Sequence, residues 1–216
     1  MTLQSNDYWS KEEMANEIAI LFNKESSVNL GIGLPTLIAE YIKPTQNIMI
    51  HSENGVLGVS GRPSSKTVSP TLINAGKETV SIKKGASFFD SSLSFGMIRG
   101  GHIDYCVLGA MQVDVQGSLA NWKIPGKKIT GMGGAMDLVS GAKQIFIMMN
   151  HFNKNQECKL THKCTLPLTG KGVVDLVITE YGIFKPLINE KKFKVIKLSS
   201  KASEQVLKIN NDLFLF

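Results

Sequence analysis

Val28-Asn29-Leu30-Gly31-Ile32-Gly33-Leu34-Pro35 and Ile48-Met49-Ile50-His51-Ser52-Glu53-Asn54-Gly55 decide how this chain is read. Each starts as an apolar run too short for a helix and ends in residues that suit a turn. The first predicts a strand over Val28–Leu30, a glycine turn, and a helix over Thr36–Tyr41. The second predicts a short buried strand, Ile48–Ile50, that stops at His51–Gly55. Strand, turn, helix and strand in that order open an alternating pattern, which builds a single open, mostly parallel sheet flanked by helices. The predicted class is α/β.

The surroundings agree. Ser10-Lys11-Glu12-Glu13 reads as a capping box, with Met14, Ile18, Leu21 and Phe22 at helical spacing after it, so a helix is expected over Lys11–Asn23. Downstream, Arg62–Pro70 reads as a surface loop and Thr79–Ile82 as an edge or half-buried strand. Asp90 can cap a helix that runs to Arg99 and ends at Gly100-Gly101, and Tyr105–Leu108 is a buried strand. Val113–Val115 and Leu119–Trp122 predict a hairpin about Gln116-Gly117-Ser118. A glycine turn at Gly131–Gly134, a short helix to Val139, and strands over Gln144–Met149 and Val173–Thr179 resume the pattern. With no internal repeat and no low-complexity tract, one domain over residues 1–216 is expected.

Composition narrows the classes. A chain of 216 residues that is 43% hydrophobic and 19% charged is neither disordered nor collagen-like. No run reaches the roughly 18 apolar residues of a membrane span; Val107–Met111 and Ile145–Met149 suit buried strands. Residues 1–10 have no basic start and no apolar stretch, so a cytosolic location is expected. Three cysteines, an odd number, point to reduced thiols. The net charge of +6 raises anionic partners, but the basic residues are scattered. Their one dense stretch, Glu190–Lys197, alternates like an amphipathic strand, so nucleic acid is not expected.

Several places can carry chemistry. Gly31-Ile32-Gly33 after a strand, with Glu53 about 20 residues on, invites a dinucleotide fingerprint. Thr36 stands where the third glycine belongs and Pro35 fills the turn, leaving a tight packing turn or an active-site wall. Glu53 lies at the carboxyl end of a parallel strand, where open α/β sheets bind ligands. It can act as general base, as nucleophile forming an acyl intermediate, or be a solvated loop carboxylate. Gly131-Met132-Gly133-Gly134-Ala135 opens a helix and can aim backbone N–H groups at an anion or a developing oxyanion, or is simply a tight turn. Cys158, His162 and Cys164 match no common zinc signature and lack a fourth partner, so no metal is expected. His51, His102, His151 and His162 read as structural, and Trp122 as packing under a loop.

Taken in order, these pieces resemble the B (beta) subunit of the two-subunit 3-oxoacid CoA-transferases, the succinyl-CoA:3-ketoacid and acetate/acetoacetate type. The matching segments are Asn29–Thr36, Ser52–Gly55, Leu72–Lys77, Gly85–Phe89, Met97–His102, Leu108–Val113, Ala120–Trp122, Gly131–Val139 and Cys164–Gly170. They span roughly Val28 to Phe184. The resemblance implies a CoA-transferase-like sheet and a CoA-transferase that acts between a short-chain acyl-CoA (succinyl-CoA or acetyl-CoA) and a 3-oxo acid such as acetoacetate. It makes Glu53 the nucleophile and gives Gly134 a backbone N–H for the oxyanion, with a side-chain amide from the other polypeptide as second donor. Asn54, Gly55, Gly31, Gly33 and Gly133 become substrate contacts.

Coenzyme A is then a substrate and a transient covalent adduct, with no metal or redox cofactor. The glycine-rich CoA-binding segment of the family's A (alpha) subunit is not in this chain, which implies a hetero-oligomer with an A-type partner. Two positions depart from the family's pattern: His51 replaces a usual Gln, and Gly61-Arg62-Pro63-Ser64 replaces a Pro-Tyr-Pro loop, both flanking the expected pocket. The other class of function is a catalytically silent ligand-binding or regulatory subunit, since the scaffold also hosts sugar-phosphate isomerases and sensing domains. An intact Glu53 and glycine turn speak against it.

Overall fold

The structure is a computed structural model that describes residues 8–126, 129, 131–199, 202 and 212–216. Residues 1–7, part of the stretch read for a targeting signal, lie outside the described residues. In chain order the elements are α1 (Lys11–Leu21), β1 (Ser27–Leu30), β2 (Met49–Ser52), β3 (Val56–Val59), β4 (Ile82–Phe88), α2 (Ser91–Arg99), β5 (Tyr105–Leu108), β6 (Gln112–Asp114), β7 (Leu119–Ala120), α3 (Ala135–Gly141), β8 (Gln144–Met148), β9 (Leu160–Thr161), β10 (Leu176–Thr179), β11 (Gly182–Leu187), β12 (Lys192–Leu198) and β13 (Phe214–Leu215).

Among the described residues ten strands form one sheet in the order β13-β12-β11-β10-β8-β5-β1-β2-β3-β4, and β7-β6-β9 form a small second sheet. The middle of the large sheet, β10-β8-β5-β1-β2, is parallel throughout. Its flanks turn antiparallel: β2 to β3 to β4 on one side and β10 to β11 to β12 on the other. This is the open α/β sheet that the alternating pattern predicts, with hairpins added at both edges.

Each face of the parallel centre has its own core. Alternation along β5 and β8 sends Tyr105, Val107, Phe146 and Met148 toward Met14, Ala15 and Ile18 of α1. The residues between them, Cys106, Leu108, Ile145 and Ile147, meet Ile98 of α2 and Leu138 and Val139 of α3. The capping box on α1 is formed in both directions: Glu13 N donates to Ser10 Oγ at 3.1 Å, and Ser10 N donates to Glu13 Oε2 at 2.7 Å. The helix stops at Leu21, two residues before the expected Asn23, because Phe22 turns extended and packs its ring 5.1 Å from Tyr105.

Other boundaries differ for local reasons. The expected α-helix over Thr36–Tyr41 is a 3₁₀ helix over Leu34–Glu40. Pro35 has no N–H to give, and both Thr36 N and Thr36 Oγ1 donate to Gly33 O, at 3.0 and 2.8 Å, which closes three-residue turns. The strand expected over Thr79–Ile82 begins at Ile82 and continues to Phe88, while Thr79 bridges only Ile73. The last parallel strand begins at Leu176, not Val173, because the amides of Val173 and Val174 both donate to Gly117 O. No helix among the described residues is long and apolar enough to cross a membrane.

Candidate active site

Strand register assembles the site. Asn29 on β1 lies opposite His51 on β2 and opposite Cys106 on β5, so three adjacent strands place these side chains in one row on the face covered by α2. Glu53 follows β2 two residues after His51 and therefore leaves the sheet on the same face. Asn29 Nδ2 donates to Glu53 Oε2 at 3.1 Å and to His51 Nδ1 at 3.1 Å. The Cys106 thiol lies 4.0 Å from Asn29 Oδ1 as a weak donor, and His51 Nε2 lies 3.0 Å from Ser94 Oγ on α2. Asn29, His51, Ser94 and Cys106 are all buried, so each polar group has to find its partner inside this row.

The residues around Glu53 are occupied in holding it. Ser52 Oγ accepts from Ala75 N at 3.0 Å, and Asn54 Nδ2 donates to Ile73 O at 2.8 Å, which ties the turn over residues 73–79 to the strand end. Gly55 has φ +111° and its carbonyl accepts from Phe89 N at 3.0 Å. A Cβ there would stand 1.9 Å from Phe89 O. Gly31 N donates to Val107 O at 2.8 Å, and a Cβ on Gly31 would come within 2.9 Å of that oxygen. Gly33 and Gly133 have positive φ with open space where a side chain would be.

Of the five residues expected as substrate contacts, Gly55 and Gly31 are thus packed against the chain itself, Asn54 is exposed with its amide bonded to Ile73 O, and Gly33 and Gly133 border open space. Gly134 is brought to Glu53: a Cβ on it would lie 3.5 Å from Glu53 Cγ and 3.1 Å from the Phe95 ring of α2. Sequence reasoning did not single out Asn29, though its signal is there. An amide between Val28 and Leu30 in a buried strand needs a buried partner, and a strand's two-residue alternation names the row it faces.

The carboxyl ends of β5, β8 and β10 open into a cleft of ≈ 1130 Å³ lined by Leu34, Gly109, Met149, Lys159 and Tyr181 among others, with Glu53 outside its lining. This is the crevice where parallel sheets bind ligands. His51, Gly61 and Arg62, from the two segments that depart from the family's pattern, border a small cavity of ≈ 40 Å³. Arg62 Nε lies 3.5 Å from Glu40 Oε1 on the protein surface.

The sulfur and imidazole groups divide by environment. Burial, with the Glu53 charge added, pushes the Cys106 thiol well above its ordinary range, and burial beside Asp114 pushes Cys164 up to about 12. Both stay protonated and weakly nucleophilic. Cys164 faces Ser118 O at 3.6 Å while His162 Nε2 lies 2.9 Å from Asp212 Oδ2, so these two do not converge. Among the described residues no group of three His, Cys, Asp or Glu side chains is placed to hold a metal ion.

Burial lowers His51 to about 4, and burial with the Lys159 charge lowers His151 to about 3. His151 sits among the rings of Tyr181, Phe152 and Phe184, with Nδ1 3.1 Å from Thr179 Oγ1.

A pH dependence of stability follows. An unfolded histidine binds its proton near pH 6.5, while folded His51 and His151 refuse theirs until about pH 4 and 3. Their contribution is complete above pH 6.5 and is lost as the pH falls toward 4, at up to about 1.4 kcal/mol per pH unit for each histidine. Urea unfolding at a series of pH values should show this acid limb, and His51→Gln should flatten it by about half. An unchanged limb in that variant would contradict the burial argument for His51.

Known proteins resemble the chain over most of its length. The sequence profile of the family described as Coenzyme A transferase matches residues 11–200. A Bacillus subtilis (strain 168) protein, named as the B subunit of a probable succinyl-CoA:3-ketoacid coenzyme A transferase, is 56% identical over 158 residues, 73% of this chain and 73% of its own length. The rat protein named succinyl-CoA:3-ketoacid coenzyme A transferase 2A, mitochondrial, is 50% identical over 181 residues, which are 83% of this chain but 35% of that longer one. The crystal structure of an acyl-CoA transferase from Escherichia coli O157:H7 superposes with a TM-score of 0.73 at 20% identity, over 100% of this chain and 42% of that chain, and shares the fold.

Proposed function

The chain belongs to the coenzyme A transferase family, and we propose that it is the B half of a two-subunit enzyme. That enzyme moves coenzyme A between succinyl-CoA or acetyl-CoA and a 3-oxo acid such as acetoacetate, through a thioester on Glu53. The observation that carries the reading is the setting of Glu53. It stands at the carboxyl end of a parallel strand, gripped by Asn29 through one oxygen and facing Gly134.

In this reading Glu53 attacks the acyl-CoA carbonyl, and the tetrahedral oxyanion collapses to an acyl-glutamyl anhydride as the CoA thiolate leaves. The thiolate then attacks the glutamyl carbonyl, releasing the donor acid and leaving the glutamyl-CoA thioester. The acceptor carboxylate reverses both steps. A carboxylate suits this exchange because the glutamyl-CoA thioester has nearly the free energy of the acyl-CoA it replaces, with the anhydride a transient between them, whereas attack by water would discard the thioester. The Gly134 N–H serves as one oxyanion donor, and a side-chain amide of the partner chain is the other. Asn54, Gly55, Gly31, Gly33 and Gly133 shape the walls around the substrate. None of these steps needs a metal or a redox cofactor.

The relatives' names support the partner. The Bacillus subtilis relative is a B subunit by name, and the rat relative carries a matching segment within a much longer chain. Residues 1–216 act as one cytoplasmic domain that an A-type chain completes. A thiol route through Cys106 or Cys164 is disfavoured because both are held protonated.

The test is co-expression with an A-type chain. The pair is expected to be active and the chain alone to have negligible activity. With acyl-CoA and no acceptor, the intact mass of this chain in the pair should rise by one CoA thioester that maps to Glu53. Full activity of the chain alone, an adduct on a cysteine, or no turnover from the pair would overturn the reading.

A further inference from the structure

We infer that His51 is a positioning residue for CoA transfer, acting through the Asn29 amide to fix the hydrogen bond that holds Glu53. The inference rests on the reading of Glu53 as nucleophile. An amide nitrogen only donates, so the 3.1 Å contact from Asn29 Nδ2 requires His51 Nδ1 to be the unprotonated acceptor. The ring proton then sits on Nε2, which donates to Ser94 Oγ at 3.0 Å. The remaining polar atom of the amide, Asn29 Oδ1, is the one that faces the Cys106 thiol. One amide orientation therefore satisfies three neighbours at once: its hydrogens go to Glu53 Oε2 and to His51, whose Nδ1 at 3.1 Å lies nearer than its carbonyl oxygen at 3.4 Å, and Cys106 offers its own.

The opposite tautomer breaks this set. With a proton on Nδ1, His51 would need an acceptor where Asn29 now presents hydrogens, and the amide would turn over. Asn29 Oδ1 would then stand in place of Nδ2, against the Glu53 carboxylate oxygen now 3.1 Å away. Two oxygens at that distance repel, and the nucleophile would swing off its present line. His51 is 1% exposed and its ring stacks at 6.1 Å on Phe89, so it has no room to answer by rotating away. Ser94, on the first turns of α2, holds the Nε2–H end. The titratable groups that share this row are Glu53, beyond Asn29, and Cys106, from β5. Burial keeps the ring neutral down to about pH 4. The device is therefore a fixed tautomer and not a pH switch.

The test uses the enzyme paired with its A-type chain. His51→Leu removes the acceptor, and kcat is expected to fall about 10- to 100-fold while KM for both substrates stays within about twofold, because a misaimed nucleophile still binds its substrate. His51→Gln, which offers an amide oxygen to Asn29 and an N–H to Ser94, should recover most of that loss. The His51→Leu and Asn29→Ala effects should be strongly non-additive, since both act through one hydrogen bond.

In ¹⁵N-histidine-labelled protein the His51 ring should show a bare Nδ1 and a protonated Nε2. The inference is overturned if the Nδ1–H tautomer is found. It is also overturned if Glu53→Ala is dead while His51→Leu turns over at the wild-type rate. If Glu53→Ala itself remains active, the nucleophile reading fails first, and the tautomer signal still reports on the row.

Discussion

Glu53→Ala, assembled with its partner chain, is expected to lose about three orders of magnitude or more in kcat, because the covalent route disappears with the carboxylate. Glu53→Asp is expected to lose about 100-fold: the side chain is one methylene shorter, which withdraws the oxygen by about 1 Å from the line set by Asn29. Glu53→Gln should be as inactive as the Ala variant yet keep the structure, since its amide oxygen still accepts from Asn29 Nδ2, which now stands 3.1 Å from Glu53 Oε2.

The fold should survive all three. The Ala variant leaves one buried amide hydrogen of Asn29 short of a partner, a cost of about 1–3 kcal/mol. Urea unfolding separates that cost from chemistry, and the Gln variant should unfold close to the wild type. An Ala variant that turns over at a tenth of the wild-type rate would end the case for a glutamyl thioester, whatever its stability.

The centre of the fold was legible because short apolar runs bounded by glycine turns have few other uses. Val28–Leu30, Tyr105–Leu108 and, up to Met148, Gln144–Met149 lie in the parallel centre of the sheet. The flanks were legible only in part: Glu190–Lys197 alternates like the strand it largely becomes, Lys192–Leu198. Other flanking strands stayed hidden. Val56–Val59 and Gly182–Leu187 carry glycine or proline inside the strand, as Gly58, Gly182 and Pro186, which reads as loop until a neighbouring strand claims it. The helix expected at Thr36–Tyr41 became 3₁₀ through Pro35 and the Thr36 hydroxyl, a local competition that periodicity does not register.

At the site, Glu53 and the glycine turn stood out by residue type, and the structure brings Gly134 beside Glu53. What stayed hidden was the row behind them. Asn29, His51 and Cys106 are separated by 22 and 55 residues in sequence, and only the pairing register makes them neighbours. Individually each reads as a buried oddity; in register they form the support for one carboxylate.

Gly55→Ala is expected to be the most damaging change beside the site that touches no reacting atom. Gly55 has φ +111°, which costs an L-residue about 1–2 kcal/mol, and its new Cβ would fall 1.9 Å from Phe89 O. That overlap is with backbone, which has no rotamer to yield, so the Ser52–Gly55 turn or the Phe89–Asp90 segment has to move, at about 1–3 kcal/mol more. Either movement strains the bond from Phe89 N to Gly55 O at 3.0 Å and shifts Glu53 relative to Asn29. The expected result is a loss of about 3 kcal/mol in stability together with about 100-fold in kcat.

Gly33→Ala is the stability reference. Gly33 has φ +87° and ψ −125° with nothing within 4 Å of the added carbon, so it should lose only the backbone cost of about 1–3 kcal/mol. Urea midpoints of the two variants isolate the overlap from the dihedral strain, and kcat of Gly55→Ala reports whether the turn aims the nucleophile. Equal destabilisation of the two variants, with wild-type turnover in Gly55→Ala, would mean that the Phe89 contact does not set the position of Glu53.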